Sequence, residues 1–171
     1  MTEPRQSPPP FASNRRLMLL AALAGLAALT AALATGAWRG GAASLPEIPQ
    51  TAPSGLPVQL MEVRAEAQPG AGGAEEAVAR FRFLAPQVAA AAPGEGDLQA
   101  LCETAALPWI AAVAAGAEPG PEVAGLPPVR ADVVIVSVED RAVPFGTPDP
   151  EAAQYFEAFR PEGARCLPEG L

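Results

Sequence analysis

Four carboxylates are the first candidates for chemistry in this sequence. Glu139 and Asp140 are adjacent acids at the end of an apolar run, and Glu62 and Glu66 lie in an earlier segment. Two carboxylates that share a cleft can hydrolyse a glycosidic bond, because one donates a proton while the other acts as base or nucleophile. Neighbouring residues of an extended segment point to opposite faces, so Glu139 and Asp140 do not form such a pair by themselves. We interpret them as the charged end of a strand.

The other familiar catalytic patterns are missing from the composition. His and Lys do not occur, which removes the commonest general base and the commonest metal ligand. Ser137 therefore has no basic partner that could activate it as a nucleophile. Arg80 and Arg82 lie in an acidic part of the chain, where pairing with carboxylates is expected. We predict no catalytic, metal-binding or cofactor-binding residue, and no cofactor.

The two cysteines, Cys102 and Cys166, both follow a long apolar segment. A domain exported across a membrane meets an oxidising compartment, where a disulfide forms and persists. The spacing of the two residues matches neither a redox pair nor a zinc site. We predict a disulfide that joins a helix to the last strand, with two buried free thiols as the alternative.

Residues 17–38 are uncharged, and as a helix they would span a ~30 Å hydrocarbon core. Arg15 and Arg16 precede them and should hold the N-terminus in the cytoplasm. The net charge is +3 for residues 1–39 and −11 for residues 40–171. We expect a single-pass inner-membrane protein with a periplasmic C-terminal domain. The alternative is a cleaved signal sequence, which exports the same domain to the periplasm.

The chain divides by composition into four parts. Residues 1–16 are predicted to be a disordered cytoplasmic tail, and residues 17–38 a transmembrane helix or signal sequence. Residues 39–55 are rich in Pro, Gly and Ala, which is typical of a tether. Residues 56–168 are predicted to be a periplasm-facing α+β domain.

The periodicity within 56–168 predicts alternating strands and helices. Apolar alternation and β-branched runs indicate strands, while apolar spacing of three and four residues indicates helices. A helix start is indicated by Asp149 and Pro150, because aspartate and proline are common at the first positions of helices. The apolar residues that follow, Tyr155, Phe156 and Phe159, have helical spacing. We expect a small two-layer α+β sandwich in the order β-β-α-β-α-β with a mostly antiparallel sheet. Its elements are strands at 56–65 and 78–85, a helix from 97 to about 107, a strand at 131–138, a helix from 149 and a strand at 165–167.

Five stretches, taken in order, resemble a family of short, uncharacterised alphaproteobacterial envelope proteins classed as a domain of unknown function. They are SGLPVQLMEV at 54–63, RFRFLAP at 80–86, LCE at 101–103, DRAVPFG at 140–146 and EAAQYFEAFRPEGARC at 151–166. The resemblance implies export to the envelope, and cysteines that correspond to Cys102 and Cys166 support their pairing. This sequence differs by insertions at 87–96 and 111–128 and by a longer N-terminus. The family implies no activity.

The function that the sequence favours is a membrane-anchored, periplasm-facing binding or accessory module. It would attach to the inner membrane through residues 17–38 and have a possible protein partner in the envelope. A net charge of −8 argues against nucleic acid as a partner. The alternative is an envelope hydrolase that acts on cell-wall glycans with carboxylates alone, built on Glu139 or Asp140 with Glu62 or Glu66.

Overall fold

The computed structural model describes residues 43–70 and 73–169, whose six strands form one mixed sheet. The helical part consists of α1 (Asp97–Leu101), a π-helical turn (Cys102–Ala106) and α2 (Leu107–Ala114), which follow one another without a break. A short 3₁₀ turn covers Pro86–Ala89. The strands are β1 (Gln59–Pro69), β2 (Glu75–Leu84), β3 (Val123–Ala124), β4 (Val133–Glu139), β5 (Gln154–Glu162) and β6 (Arg165–Pro168), in the spatial order β3-β1-β2-β4-β5-β6.

Parallel and antiparallel pairs both occur in this sheet. Strands β1 and β2 form an antiparallel hairpin, and β4, β5 and β6 follow one another as antiparallel neighbours. The two groups are joined by the parallel pair of β2 and β4, and β3 adds a second parallel pair beside β1. A parallel pair needs a long crossover connection. The helical segment between β2 and β4 is part of that connection.

The predicted order β-β-α-β-α-β is wrong. The residues from 149 do not form a helix, since Gln154–Glu162 is strand β5, paired with β4. The carboxylate of Asp149 accepts the backbone N–H of Glu151 at 3.0 Å, which makes a local turn in place of a helix start. Of the three aromatic residues at helical spacing, Phe159 is buried, whereas Tyr155 and Phe156 are exposed. The sheet is also mixed, where a mostly antiparallel one was expected.

The predicted membrane-spanning segment 17–38 and the predicted tail 1–16 lie outside the described residues. Within 43–70 and 73–169, no helix is long and apolar enough to cross a membrane.

The core lies between one face of the sheet and the helical segment. Because side chains alternate along a strand, Phe81 and Phe83 of β2 and Phe159 of β5 all point to this face. Trp109 of α2 packs edge-on against Phe81, with ring centroids 5.6 Å apart. Small helical residues such as Ala105 are fully buried, which lets the helix approach the sheet closely.

The helix continues through Pro108, where the sequence predicted an end. Proline has no N–H to donate to the carbonyl four residues earlier. Just before it, the N–H of Leu107 donates to the carbonyl of Cys102, five residues back. This π-helical turn widens the helix ahead of the proline. The helix then continues without a break as α2.

Part of the predicted tether 39–55 packs against the domain. Leu45 and Ile48 contact the core cluster, and Ala52 is buried. The buried carboxylate of Asp97 accepts the backbone N–H of Ser54 at 2.9 Å and its hydroxyl at 2.5 Å. Asp97 thereby fixes this segment to the start of α1.

The predicted disulfide between Cys102 and Cys166 is confirmed. Both residues are fully buried, one in the π-helical turn and the other in β6. Glu103 strengthens the same junction, because its carboxylate accepts the backbone N–H of Cys166 at 3.1 Å and pairs with Arg165 at 3.0 Å. The helical layer is therefore tied covalently to the last strand.

Replacing both cysteines with alanine should lower the free energy of unfolding by about 2–5 kcal/mol, since the bond limits the entropy of the unfolded chain. Urea unfolding of the purified protein under non-reducing conditions measures this difference. Wild-type protein treated with a reductant is the control and should show a similar loss. An unchanged unfolding midpoint in the double variant would contradict a stabilising role for the bond.

Candidate functional site

The second face of the sheet carries a row of charged side chains. Glu62 and Arg64 of β1 and Arg80 and Arg82 of β2 lie on this face, because the alternate residues of the same strands fill the core. Arg64 and Arg80 are direct cross-strand neighbours. Like charges in this position repel each other, so their close approach needs compensating carboxylates.

Arg82 is the centre of these contacts and is almost completely buried. Its guanidinium makes two hydrogen bonds of 2.7 Å to the carboxylate of Glu139 and pairs with Glu62 on the neighbouring strand. It also donates to the carbonyl oxygen of Val143 at 2.6 Å. Arg82 therefore joins β1, β2, β4 and the loop after β4.

Glu139 is equally buried and its carboxylate has further donors. In addition to Arg82, it accepts a hydrogen bond from Gln154 at 3.1 Å and from the hydroxyl of Ser137 at 3.3 Å. A buried charge is tolerated when it is paired and hydrogen-bonded, and Glu139 meets both conditions. Gln154 is the first residue of β5, so the network also fixes the start of that strand.

Phe145 from the loop between β4 and β5 covers the arginines. Its ring centroid lies 4.4 Å from the guanidinium carbon of Arg64, 5.3 Å from that of Arg80 and 5.8 Å from that of Arg82. All three distances fall within the range of cation–π attraction. Together with the Val143 carbonyl, this ring holds the loop against the sheet.

Two clefts lie beside this loop. One, of about 570 Å³, has Glu139, Thr147, Asp149 and Gln154 among its lining residues. The other, of about 310 Å³, is bounded by Arg80, Arg82, Phe145 and Gln154. Arg82, Glu139 and Gln154, which are among the lining residues, are hydrogen-bonded to one another, so the two clefts border the ion-pair network.

The pKa values support a network of charged groups. Partial burial raises the pKa of Glu62, but hydrogen bonds from Arg64 and Arg82 and their charges outweigh it, and the pKa is lowered from its ordinary value of 4.5. Burial lowers the pKa of Arg82, whereas its bonds to Glu139 and Glu62 raise it further, so the net shift is upward. The three arginines and the carboxylates of Glu62, Glu66 and Glu139 balance in charge.

The predicted pairing of Arg80 and Arg82 with carboxylates is observed, since Arg80 contacts Glu66 at 3.1 Å and Arg82 contacts Glu62 and Glu139. The structure thus brings Glu62 and Glu139 together on one guanidinium. The pKa of Glu62 is lowered there, whereas a general acid needs a raised pKa.

Asp140 lies apart from this network. It pairs with Arg141 at 2.8 Å and accepts the backbone N–H of Ala153 at 3.1 Å. The hydrogen bond from Arg141 is the main cause of its lowered pKa. Asp140 is therefore a structural acid at the end of β4.

Sequence reasoning missed Phe145 and Gln154. Phe145 belongs to a Pro-Phe-Gly turn, and Gln154 lay in the segment that was predicted to be helical. Nothing in the local pattern shows which surface a turn residue will cover. The parallel pairing of β2 with β4, which places Glu139 close to Arg82, is a long-range feature as well.

Within the described part of the chain, no group of three or more acidic or cysteine side chains could hold a metal ion.

A family model described as "Family of unknown function (DUF6497)" matches residues 26–171, and the chain therefore belongs to this uncharacterised domain family. Searches of the curated proteins and of the solved structures returned no match.

Replacing Arg82 with Met should lower the free energy of unfolding by about 3–5 kcal/mol, because Glu139 would keep a buried charge without its ion-pair partner. Urea unfolding measures this loss. Arg64→Met is the matched control and should cost less than about 1 kcal/mol, since Arg64 is more exposed. Equal losses in the two variants would contradict a central role for Arg82.

The lowered pKa of Glu62 predicts a pH-dependent stability. Its contribution is fully present above the unfolded-state pKa of about 4.5 and is lost as the pH falls through the lower folded-state value. Glu62→Gln removes this contribution, so the stability difference between wild type and variant should shrink as the pH falls from 7 to about 3. Urea unfolding across this range tests it. A constant difference would show that Glu62 is not stabilised as a carboxylate.

Proposed function

We propose that this protein is a membrane-anchored, periplasm-facing binding module that acts through contacts with another protein of the cell envelope. The apolar segment 17–38 is the anchor in this proposal, and Arg15 and Arg16 keep its N-terminal side in the cytoplasm. An alphaproteobacterial origin and an envelope location are part of the proposal.

The observation that carries the binding role is the exposure of aromatic side chains on a rigid sheet. Phe156 is 58% exposed and its neighbour Tyr155 is 37% exposed, although both belong to a regular strand. Exposed aromatic residues on regular elements are typical of protein contact sites. The ion pairs around Arg82 hold the surrounding strands in one arrangement, which reduces the entropic cost of binding.

The disulfide supports the outward orientation. Disulfides persist in the periplasm and are rare in the reducing cytoplasm. The charge distribution agrees with this orientation, because the positive charge precedes the apolar segment and the residues after it are strongly acidic.

The pKa directions of two of the acids named for the hydrolase alternative, Glu62 and Asp140, weigh against it. Such an enzyme needs a carboxylic acid that keeps its proton near neutral pH. Arg64 and Arg82 lower the pKa of Glu62, and Arg141 lowers that of Asp140. Both acids are therefore poor proton donors.

The proposal predicts that the intact chain is found in the membrane fraction and cross-links to a protein partner there. Mass spectrometry of that fraction should detect peptides that precede Trp38. Chemical cross-linking in intact cells should give one reproducible adduct. Recovery of chains that begin after Trp38 would overturn the anchor. The absence of any adduct with several cross-linkers would overturn the binding role.

A further inference from the structure

We propose that the first half of strand β5, Gln154–Glu157, is a docking edge that accepts an extended, basic segment of a partner protein as an additional strand. The inference rests on the proposed function, since it assigns a location and a chemistry to the partner contact.

Strand β5 is longer than its outer neighbour. Strand β6 pairs with it from Phe159 to Glu162, and the N–H of Glu169 then donates to the carbonyl of Ala158 at 2.8 Å. Strand β4 pairs with the inner side of Gln154–Glu157, but among the described residues no strand lies on the outer side of this stretch. On the outer edge of β6, the N–H of Cys166 is already bonded to the carboxylate of Glu103.

The backbone of this stretch directs hydrogen-bonding groups outward. In an antiparallel strand, successive residues direct their N–H and C=O groups to alternate sides. The carbonyl of Ala153 accepts from Asp140 on the β4 side, whereas the carbonyl of Ala158 accepts on the β6 side. Phe156 lies two residues before Ala158 in the same strand. Its N–H and C=O therefore point to the same side as those of Ala158, which is the open edge. Neither group bonds to another of the residues that the structure describes, so an added strand could pair with both.

The side chains lack the protection that edge strands usually have. Natural edges are blunted by lysine, proline or a bulge. Here the exposed edge instead contains Tyr155 and Phe156, whose rings project on opposite faces of the sheet. Both faces of an added strand would therefore contact an aromatic ring.

A groove of about 630 Å³ beside the edge is lined by acidic residues, which favours a basic partner segment. It lies between the residues that begin α1 and the β5–β6 pair, and its lining includes Glu95, Leu98, Glu157 and Pro168. Within residues 43–70 and 73–169, neither Glu95 nor Glu157 forms an ion pair, and none of the residues that line the groove is basic. Basic side chains of the partner would complete this site.

The charge argues against a second copy as the occupant. Residues 40–171 have a net charge of −11, and the groove acids of two copies would face each other across a shared edge. Like-charge contacts at an interface are unfavourable. Since side chains alternate along a strand, the expected partner segment has basic residues on the groove side and apolar residues against Phe156.

The first test uses a labelled hexapeptide in which lysine and valine alternate, added to the purified full-length protein. Fluorescence anisotropy should show that it binds at least about tenfold more tightly than a peptide of alternating glutamate and valine. Phe156→Pro removes the outward N–H but leaves the bonds to β4, so it should fold and lose at least about tenfold in affinity. Phe156→Ala keeps that N–H and should lose less.

The groove acids give a second set of variants, which does not depend on proline being tolerated. Glu95→Lys combined with Glu157→Lys should weaken lysine-peptide binding by at least about tenfold, whereas Glu118→Lys, outside the groove, should change it little. Equal affinity for both peptides, or no effect of the groove variants, would overturn the proposal.

Photo-cross-linking in cells separates this inference from the proposed function. A photoreactive amino acid at position 156 should yield the partner adduct, and one at Thr104, an exposed residue of the π-helical turn, should not. If chemical cross-linkers capture a partner that position 156 does not reach, the binding role stands and the edge proposal is wrong. A cross-link from 156 to a second copy, or to residues 170–171 of the same chain, would also overturn it.

Discussion

The buried guanidinium of Arg82 sets the arrangement of the sheet. A charged group in this position is stable when all of its partners are in place. Those partners come from β1, from the end of β4 and from the loop that follows, through Glu62, Glu139 and the Val143 carbonyl. A shift of either neighbouring strand by one residue would move a carboxylate to the other face of the sheet. The ion pairs thus specify the register as well as contributing to stability.

The disulfide provides the corresponding constraint on the other face. Arg82 joins strands at the centre of the sheet, whereas the bond between Cys102 and Cys166 joins the helical layer to the edge strand β6. The core between them contains many small residues, and a small domain buries little apolar surface. Two localised constraints on opposite faces of the sheet therefore supplement a limited hydrophobic core.

Local sequence patterns correctly predicted elements that have one buried face and one polar face. The alternation of Arg80, Phe81, Arg82 and Phe83 predicts a strand with one polar face, and β2 has that form. The stretch from 149 to 159 was predicted wrongly because aromatic residues are also favourable in strands. Pairing with β4 decided its conformation, and no local pattern records that pairing. The same holds for the site, where the ion pairing of Arg80 and Arg82 was foreseen but the contribution of Phe145 was not.

The network around Arg82 also determines how the proposed docking edge is presented. Gln154 donates to Glu139 at 3.1 Å, so the first residue of β5 is anchored to the most buried charged group of the sheet. An edge held in this way stays extended without a neighbour on its outer side. Strand addition to a preformed edge avoids the entropic cost of ordering the receptor backbone. The interaction that fixes the register of the central strands therefore also keeps Gln154–Glu157 extended and able to accept another strand.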